Sequence, residues 1–178
     1  MPTALLDLIK QRRSVRKFTD QPVSDEQLRV VLEAAVAAPT RLDVQPWHFV
    51  VLRDKALQKR LAESLRLHAY LEAAPVVIAV WGEPERTSTW LMDCSAAIEN
   101  LLLAAQAVGL GAVWVGGPDV TLWGATEELL RREIGAPQDV RLVSLIAVGV
   151  HVAMPAPHDQ ERWNRLHMHL GKWNELWE

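Results

Sequence analysis

Three stretches of the chain carry residue types that could do chemistry. Arg12, Arg13, Ser14 and Arg16 stand together. A guanidinium grips phosphate oxygens bidentately, and a Ser hydroxyl beside free backbone N–H groups completes an anion cradle. The same cluster also reads as cations gathered at a helix C-terminus, where they suit the macrodipole and stay solvated. Residues 39–49, PTRLDVQPWHF, include Pro39, Thr40, Arg41 and the Gln45-Pro46 pair. They form either a ligand-contacting loop between a helix and a strand or an ordinary helix stop and strand start. Residues 109–118, GLGAVWVGGP, lack the spacing of a dinucleotide fingerprint. Gly111 reads as a close-packing position. Gly116 and Gly117 read as backbone bared at a strand end, able to offer N–H donors to a flat heterocycle, or as a plain turn.

Other chemistries find no foothold. The six histidines include the pair His167 and His169 but no acidic or thiol companion at ligand spacing, so no metal site is expected. Neither a G-x-S-x-G elbow nor a P-loop occurs. Cys94 is the lone cysteine, which excludes an intramolecular disulfide and implies a reducing compartment. A net charge of −3 argues against a general nucleic-acid binder. Asp7 interrupts the apolar residues of the N-terminus, and the stretch at 101–117 is broken by Gln106, Gly109 and Gly111, so neither export nor membrane insertion is expected.

The elements that must position these residues follow from periodicity. A short helix over 3–10 runs into the arginines. Ser24 as N-cap, Gln27 completing a capping box and a staple from Val23 to Leu28 mark a second helix, which Pro39 ends. Residues 47–53 and 76–81 read as strands, with a helix over 54–67 between them. Residues 89–108 are apolar nearly all the way round, which predicts a helix buried on several sides and, in so small a chain, a subunit interface. A strand at 112–115 follows. Thr121 then caps a helix that wets Glu127, Glu128, Arg131 and Arg132 and ends at Gly135, and a strand covers 142–150. The tail beyond 154 has no clean period. Eight tryptophans against two Phe and one Tyr are expected at edges, interfaces and pocket walls. A length of 178 residues predicts one domain, 49% hydrophobic and 23% charged residues are those of an ordinary globular protein, and helices alternating irregularly with four strands suggest an α+β sandwich.

Taken in order, the segments RRSVRKF (12–18), AAPTRLDVQPWHFVV (37–51), MDCSAAIENLLLAAQAVGLGAVWVG (92–116), VSLIAVGV (143–150) and RWNRLHMHLGKW (162–173) resemble the nitroreductase family of FMN-dependent oxidoreductases. The resemblance spans nearly the whole chain. It implies a mostly antiparallel central sheet flanked by helices, in an intertwined cytoplasmic homodimer whose tail, from about residue 151, wraps the partner. It also implies two FMN sites at the subunit interface. Arg12, Arg13, Ser14 and Arg16, joined by Arg162, would hold the phosphate and ribityl end. Thr40, Arg41 and Gln45 would lie in the loop that serves the partner's flavin. Trp114, Val115, Gly116 and Gly117 would lie along the isoalloxazine, with the glycine backbone near N5. Arg41, Asp43 and the Gln160-Glu161-Arg162 run depart from the family's usual residues, which bears on flavin potential and substrate choice more than on FMN binding.

The implied activity is ping-pong hydride transfer from NAD(P)H through flavin N5 to nitroaromatics, quinones or similar electrophiles. A specialised flavoenzyme of the same fold (dehalogenating, desaturating or flavin-fragmenting) and a non-catalytic FMN-binding protein are the alternatives.

Overall fold

A computed structural model describes residues 3–66, 69–118, 121–156 and 164–177. Helix α1 (Thr3–Gln11) ends just before the arginines. Helix α2 (Asp25–Val36) has the capping box as expected: Ser24 accepts from the Gln27 N–H, and the Gln27 side chain accepts from the Ser24 N–H. Strand β1 (Trp47–Leu52) leads to α3 (Lys55–Ser64), whose N-cap Asp54 accepts from the N–H groups of Ala56 and Leu57. A short helix the periodicity did not mark, α4 (Tyr70–Ala73), precedes β2 (Val76–Gly82). Then come α5 (Trp90–Ala107), β3 (Gly111–Val115), α6 (Trp123–Ile134) and β4 (Arg141–Gly149).

The strands form one antiparallel sheet in the order β1-β2-β4-β3. Both faces are covered, so β2 is buried at every position and alternates its side chains between two cores. Val76, Ile78 and Val80 join the core beneath α2 and α5. Val77, Ala79 and Trp81 join the core beneath α3 and α6. A bulge in the β2–β4 pairing sets Ser144 opposite Val80 and Leu142 opposite Trp81. The extra residue, Val143, lets Leu142 and Leu145 share the second core.

Two expectations about α6 are corrected. Thr121 does not cap it. Leu122 is the cap residue, in a left-handed conformation without a side-chain cap bond, because Trp123 must turn inward, where its indole N–H donates to the Leu142 carbonyl at 2.7 Å. Nor are all four charges wet. Glu127 and Arg131 are both 5% exposed; Arg131 donates to Glu127 at 2.7 Å and lies 5.2 Å over the Trp81 ring, while Arg141 reaches the same carboxylate at 2.8 Å. Pairing and donation to the Val140 carbonyl offset the cost of burying these charges.

Helix α5 buries one side, including Cys94, Ile98, Leu101 and Ala105, while Met92 is 73% exposed and Leu103 half-buried. Leu5, Leu6 and Ile9 of α1 are also exposed. The tryptophans divide: Trp81 and Trp123 are fully buried, contrary to the expected bias toward edges, whereas Trp114, Trp173 and Trp177 are exposed. Residues 164–177 fold back on themselves, the Trp177 N–H bonding the Met168 carbonyl and His169 stacking on Trp173.

Candidate functional site

Segment 14–19 is laid along the sheet by backbone bonds. The Val15 N–H donates to the Ala112 carbonyl at 2.9 Å and the Thr19 N–H to the Val150 carbonyl at 2.8 Å. That placement requires Gly111, where a Cβ would lie 2.6–2.8 Å from the Val15 side chain, bearing out its reading as a close-packing position. Ser14 therefore stands beside Ala112 at the start of β3, and Gly116 and Gly117 follow its end. At roughly 3.3 Å per residue the two points are about 13 Å apart. Antiparallel strands turn alternate peptide groups toward their partner. Since Val15 bonds Ala112 from the side away from β4, Trp114 also turns its N–H and carbonyl to that free edge.

The four residues of the arginine cluster are not equivalent. Arg13 is committed to closing α1, donating to the carbonyls of Lys10 and Arg12 at 2.7 Å and of Ala156 at 3.1 Å. Among the described residues the Arg12 side chain makes one long contact, 3.5 Å to Glu99, and its Nε is buried without a partner. Ser14 offers a hydroxyl with no described acceptor or donor, and Arg16 is exposed, 5.9 Å over the Tyr70 ring. A buried unpartnered donor is costly and makes Arg12 a candidate to bind an acceptor from outside the chain.

The glycines also differ. Gly116 has φ 75°, and a Cβ there would lie 1.9 Å from Trp123 Cζ3. Only glycine fits. Gly117 has open space where a Cβ would go. Among the described residues none accepts a hydrogen bond from either N–H.

The loop at 40–45 is elsewhere. It leads into β1, on the opposite edge of the sheet, three strand spacings or about 14 Å across from β3. Leu42, Asp43 and Gln45 all have positive φ (54°, 56° and 49°), a concentration of backbone strain with no glycine to relieve it. The Gln45 N–H donates to the Thr40 hydroxyl at 3.3 Å, the Gln45 amide to Asp43 at 2.8 Å, and Arg41 reaches Ser88 at 3.4 Å. One chain thus brings Arg12, Arg13, Ser14, Arg16, Trp114, Val115, Gly116 and Gly117 to one edge and leaves Thr40, Arg41 and Gln45 on the other. Arg162 lies outside the described residues. Three residues were missed from sequence: Tyr70, Trp123 and Ser144, whose buried hydroxyl donates to the Val115 carbonyl at 2.9 Å. The abundance of Trp was the only available hint, and it pointed to pocket walls in general.

Cys94 is buried, and its thiol is pushed up to about 12 by burial and then by the neighbouring Asp93. Such a thiol is inert as a nucleophile at neutral pH. Among the described residues no His, Cys, Asp and Glu groups gather as a metal site, and no helix is long and apolar enough to cross a membrane.

An antiparallel four-stranded sheet between two helical layers is the α+β fold of solved nitroreductase structures. One from Bacteroides thetaiotaomicron, described as a candidate NADH dehydrogenase/NAD(P)H nitroreductase, superposes with a TM-score of 0.88 at 32% identity, covering 97% of this chain and 99% of that one. Another, a candidate nitroreductase from Desulfovibrio desulfuricans in complex with FMN, gives 0.78 at 33% identity over 89% of this chain and 92% of that one. In sequence, a candidate NADH dehydrogenase/NAD(P)H nitroreductase from Archaeoglobus fulgidus is 34% identical over 94% of this chain and 98% of its own length. Residues 9–69 and 64–150 match the nitroreductase family, and the chain belongs to it.

Proposed function

We propose that the protein is an NAD(P)H-dependent FMN oxidoreductase working as a cytoplasmic homodimer on nitroaromatics, quinones or related electrophiles. The observation that carries this reading is the line of donors along β3 with no acceptor among the described residues: Arg12 Nε and the Ser14 hydroxyl at one end and the Gly116 and Gly117 N–H groups at the other, with the Trp114 N–H turned by strand alternation to the same edge between them. Its span of about 13 Å suits a cofactor with a phosphate at one end and a flat hydrogen-bonding ring at the other. Arg12, Ser14 and Arg16 would hold the phosphate, with Arg13 anchoring the segment that presents them. Trp114 and Val115 would lie along the ring, with the two glycine N–H groups toward its N5. When bound, FMN supplies two-electron acceptance and donation; the chain supplies binding, orientation and exclusion of water.

What one chain leaves undone supports the homodimer. Thr40, Arg41 and Gln45 stand on the wrong edge to reach the same cofactor, and a two-fold related copy can bring them to it. The exposed apolar residues of α1 and α5 would form the interface. The tail, with Trp173 85% exposed and Trp177 53% exposed, would pack on the partner. Trp114 and Val115 would cover one side of a bound flavin, which would leave donor and acceptor to use the other side in turn. Steady-state NAD(P)H oxidation by the FMN-loaded protein, with a panel of nitroaromatic, quinone and halogenated aromatic acceptors, tests the reading. Parallel double-reciprocal lines are expected. Intersecting lines would rule out a shared face, and absence of turnover with every acceptor would leave the protein a flavin binder.

A further inference from the structure

Two peptide groups at the end of β3 are each held by a side chain on the side opposite their N–H. The Val115 carbonyl accepts from Ser144 Oγ at 2.9 Å. Carbonyl and N–H of a trans peptide point in opposite directions, so Ser144, fully buried within the sheet, aims the Gly116 N–H outward. The Gly116 carbonyl accepts from the Trp114 indole at 3.2 Å, which fixes the direction of the Gly117 N–H in the same way. Trp123 forms the floor. Its ring occupies the volume a side chain at 116 would need, and its own N–H is tied to the Leu142 carbonyl, three residues from Leu145, the partner of Val115 across β3–β4.

Ser144 is the last residue of the regular β2–β4 register before the bulge. The residue opposite Val80 directs a polar side chain to β3 where its neighbours are apolar. A hydroxyl in an otherwise apolar sheet needs an acceptor, and this one has taken the carbonyl whose peptide partner is the proposed N5 donor.

We infer that Ser144 and the Trp114 indole N–H are positioning residues that orient the Gly116 and Gly117 N–H groups toward the cofactor, with Trp123 as the rigid support beneath them. The inference rests on the FMN reading of this edge. Its substitutions act on the N–H direction and not on the cofactor itself.

The test compares Ser144→Thr with Ser144→Val, equal in shape and different in the hydroxyl, alongside Trp114→Phe, which keeps a ring but loses the indole N–H. In apoprotein, amide NMR reads the glycines directly. The Gly116 resonance should move in Ser144→Val and return toward wild type in Ser144→Thr, and the Gly117 resonance should move in Trp114→Phe. In FMN-loaded protein, Ser144→Val should weaken FMN by about three- to tenfold, the worth of one neutral hydrogen bond, and shift the flavin midpoint potential, with Ser144→Thr close to wild type. Identical glycine resonances in Ser144→Thr and Ser144→Val would overturn the clamp, and so would equal FMN affinity and potential in the two. If wild type bound no FMN, the cofactor reading itself would fall, and the amide resonances would still decide whether these side chains orient the two peptides.

Discussion

Replacing Gly116 with Ala separates a structural demand from a merely exposed glycine. At φ 75° an Ala is held in the left-handed region, at a cost of roughly 1–2 kcal/mol. Its Cβ would also lie 1.9 Å from Trp123 Cζ3 and 2.4 Å from Cε3, well inside contact distance. Because Trp123 is buried and tethered to Leu142, relief must come from backbone movement, and overpacking of this kind costs about 1–3 kcal/mol. Together these give about 2–5 kcal/mol. For a chain of this length each kcal/mol lowers Tm by roughly 2–4 °C, so Gly116→Ala should melt well below wild type. Gly117→Ala meets nothing within 4 Å and should stay within roughly 0.5 kcal/mol of wild type. Urea and thermal unfolding of the apoproteins measure both, and FMN titration should show Gly116→Ala weakened as the β3 end shifts. Equal stability of the two variants would refute the argument that Trp123 and the backbone together demand glycine at 116.

Arg12→Ala and Arg16→Ala should each weaken FMN by roughly 1.5–3 kcal/mol, a charge-assisted contact apiece, whereas Arg13→Ala should act mainly on stability through the lost closure of α1; isothermal titration and melting separate them. Glu127→Gln should cost up to about 3–5 kcal/mol by removing the buried carboxylate paired with Arg131, which then keeps only the exposed Glu128 at 3.9 Å, without altering the absorption spectrum of bound flavin. For Cys94 the folded thiol titrates near 12 against an ordinary 9.0. The unfolded chain therefore loses its proton first as pH rises, and stability falls between about pH 9 and 12, by roughly 1.4 kcal/mol per unit. Cys94→Ala should lack this component of the alkaline decline, measurable by urea unfolding at stepped pH.

What was legible in the sequence is what short-range physics decides. The Ser24 capping box, the Gly135 stop of α6 and the strand read over 76–81 depend on neighbours a few residues apart. The expectations that failed depend on distant partners. Glu127 and Arg131 have the spacing of a wet i,i+4 pair, and only Trp81 and Arg141, brought in by the sheet, make the pair a buried one. Thr121 has the chemistry of a cap, but Trp123 turning into the core selects Leu122 instead. The left-handed Leu42, Asp43 and Gln45 carry no sign in their residue types. For the site, the arginines and glycines were readable as types. The difference between Arg13, bonded to three carbonyls, and Arg12, with a buried free Nε, exists only in the fold.

The central claim is that each flavin is held by the β3 edge of one subunit and the 40–45 loop of the other. A heterodimer with Arg12→Ala and Arg16→Ala in one subunit and Thr40→Ala and Arg41→Ala in its partner tests it, purified through two different tags and titrated with FMN. If the halves belong to different subunits, both defects fall in one site and the other is intact. The titration should then show one equivalent of FMN per dimer bound with wild-type affinity. Two weakened sites, one with each defect, and none of wild-type affinity would mean that each subunit builds its own site, and would contradict the account.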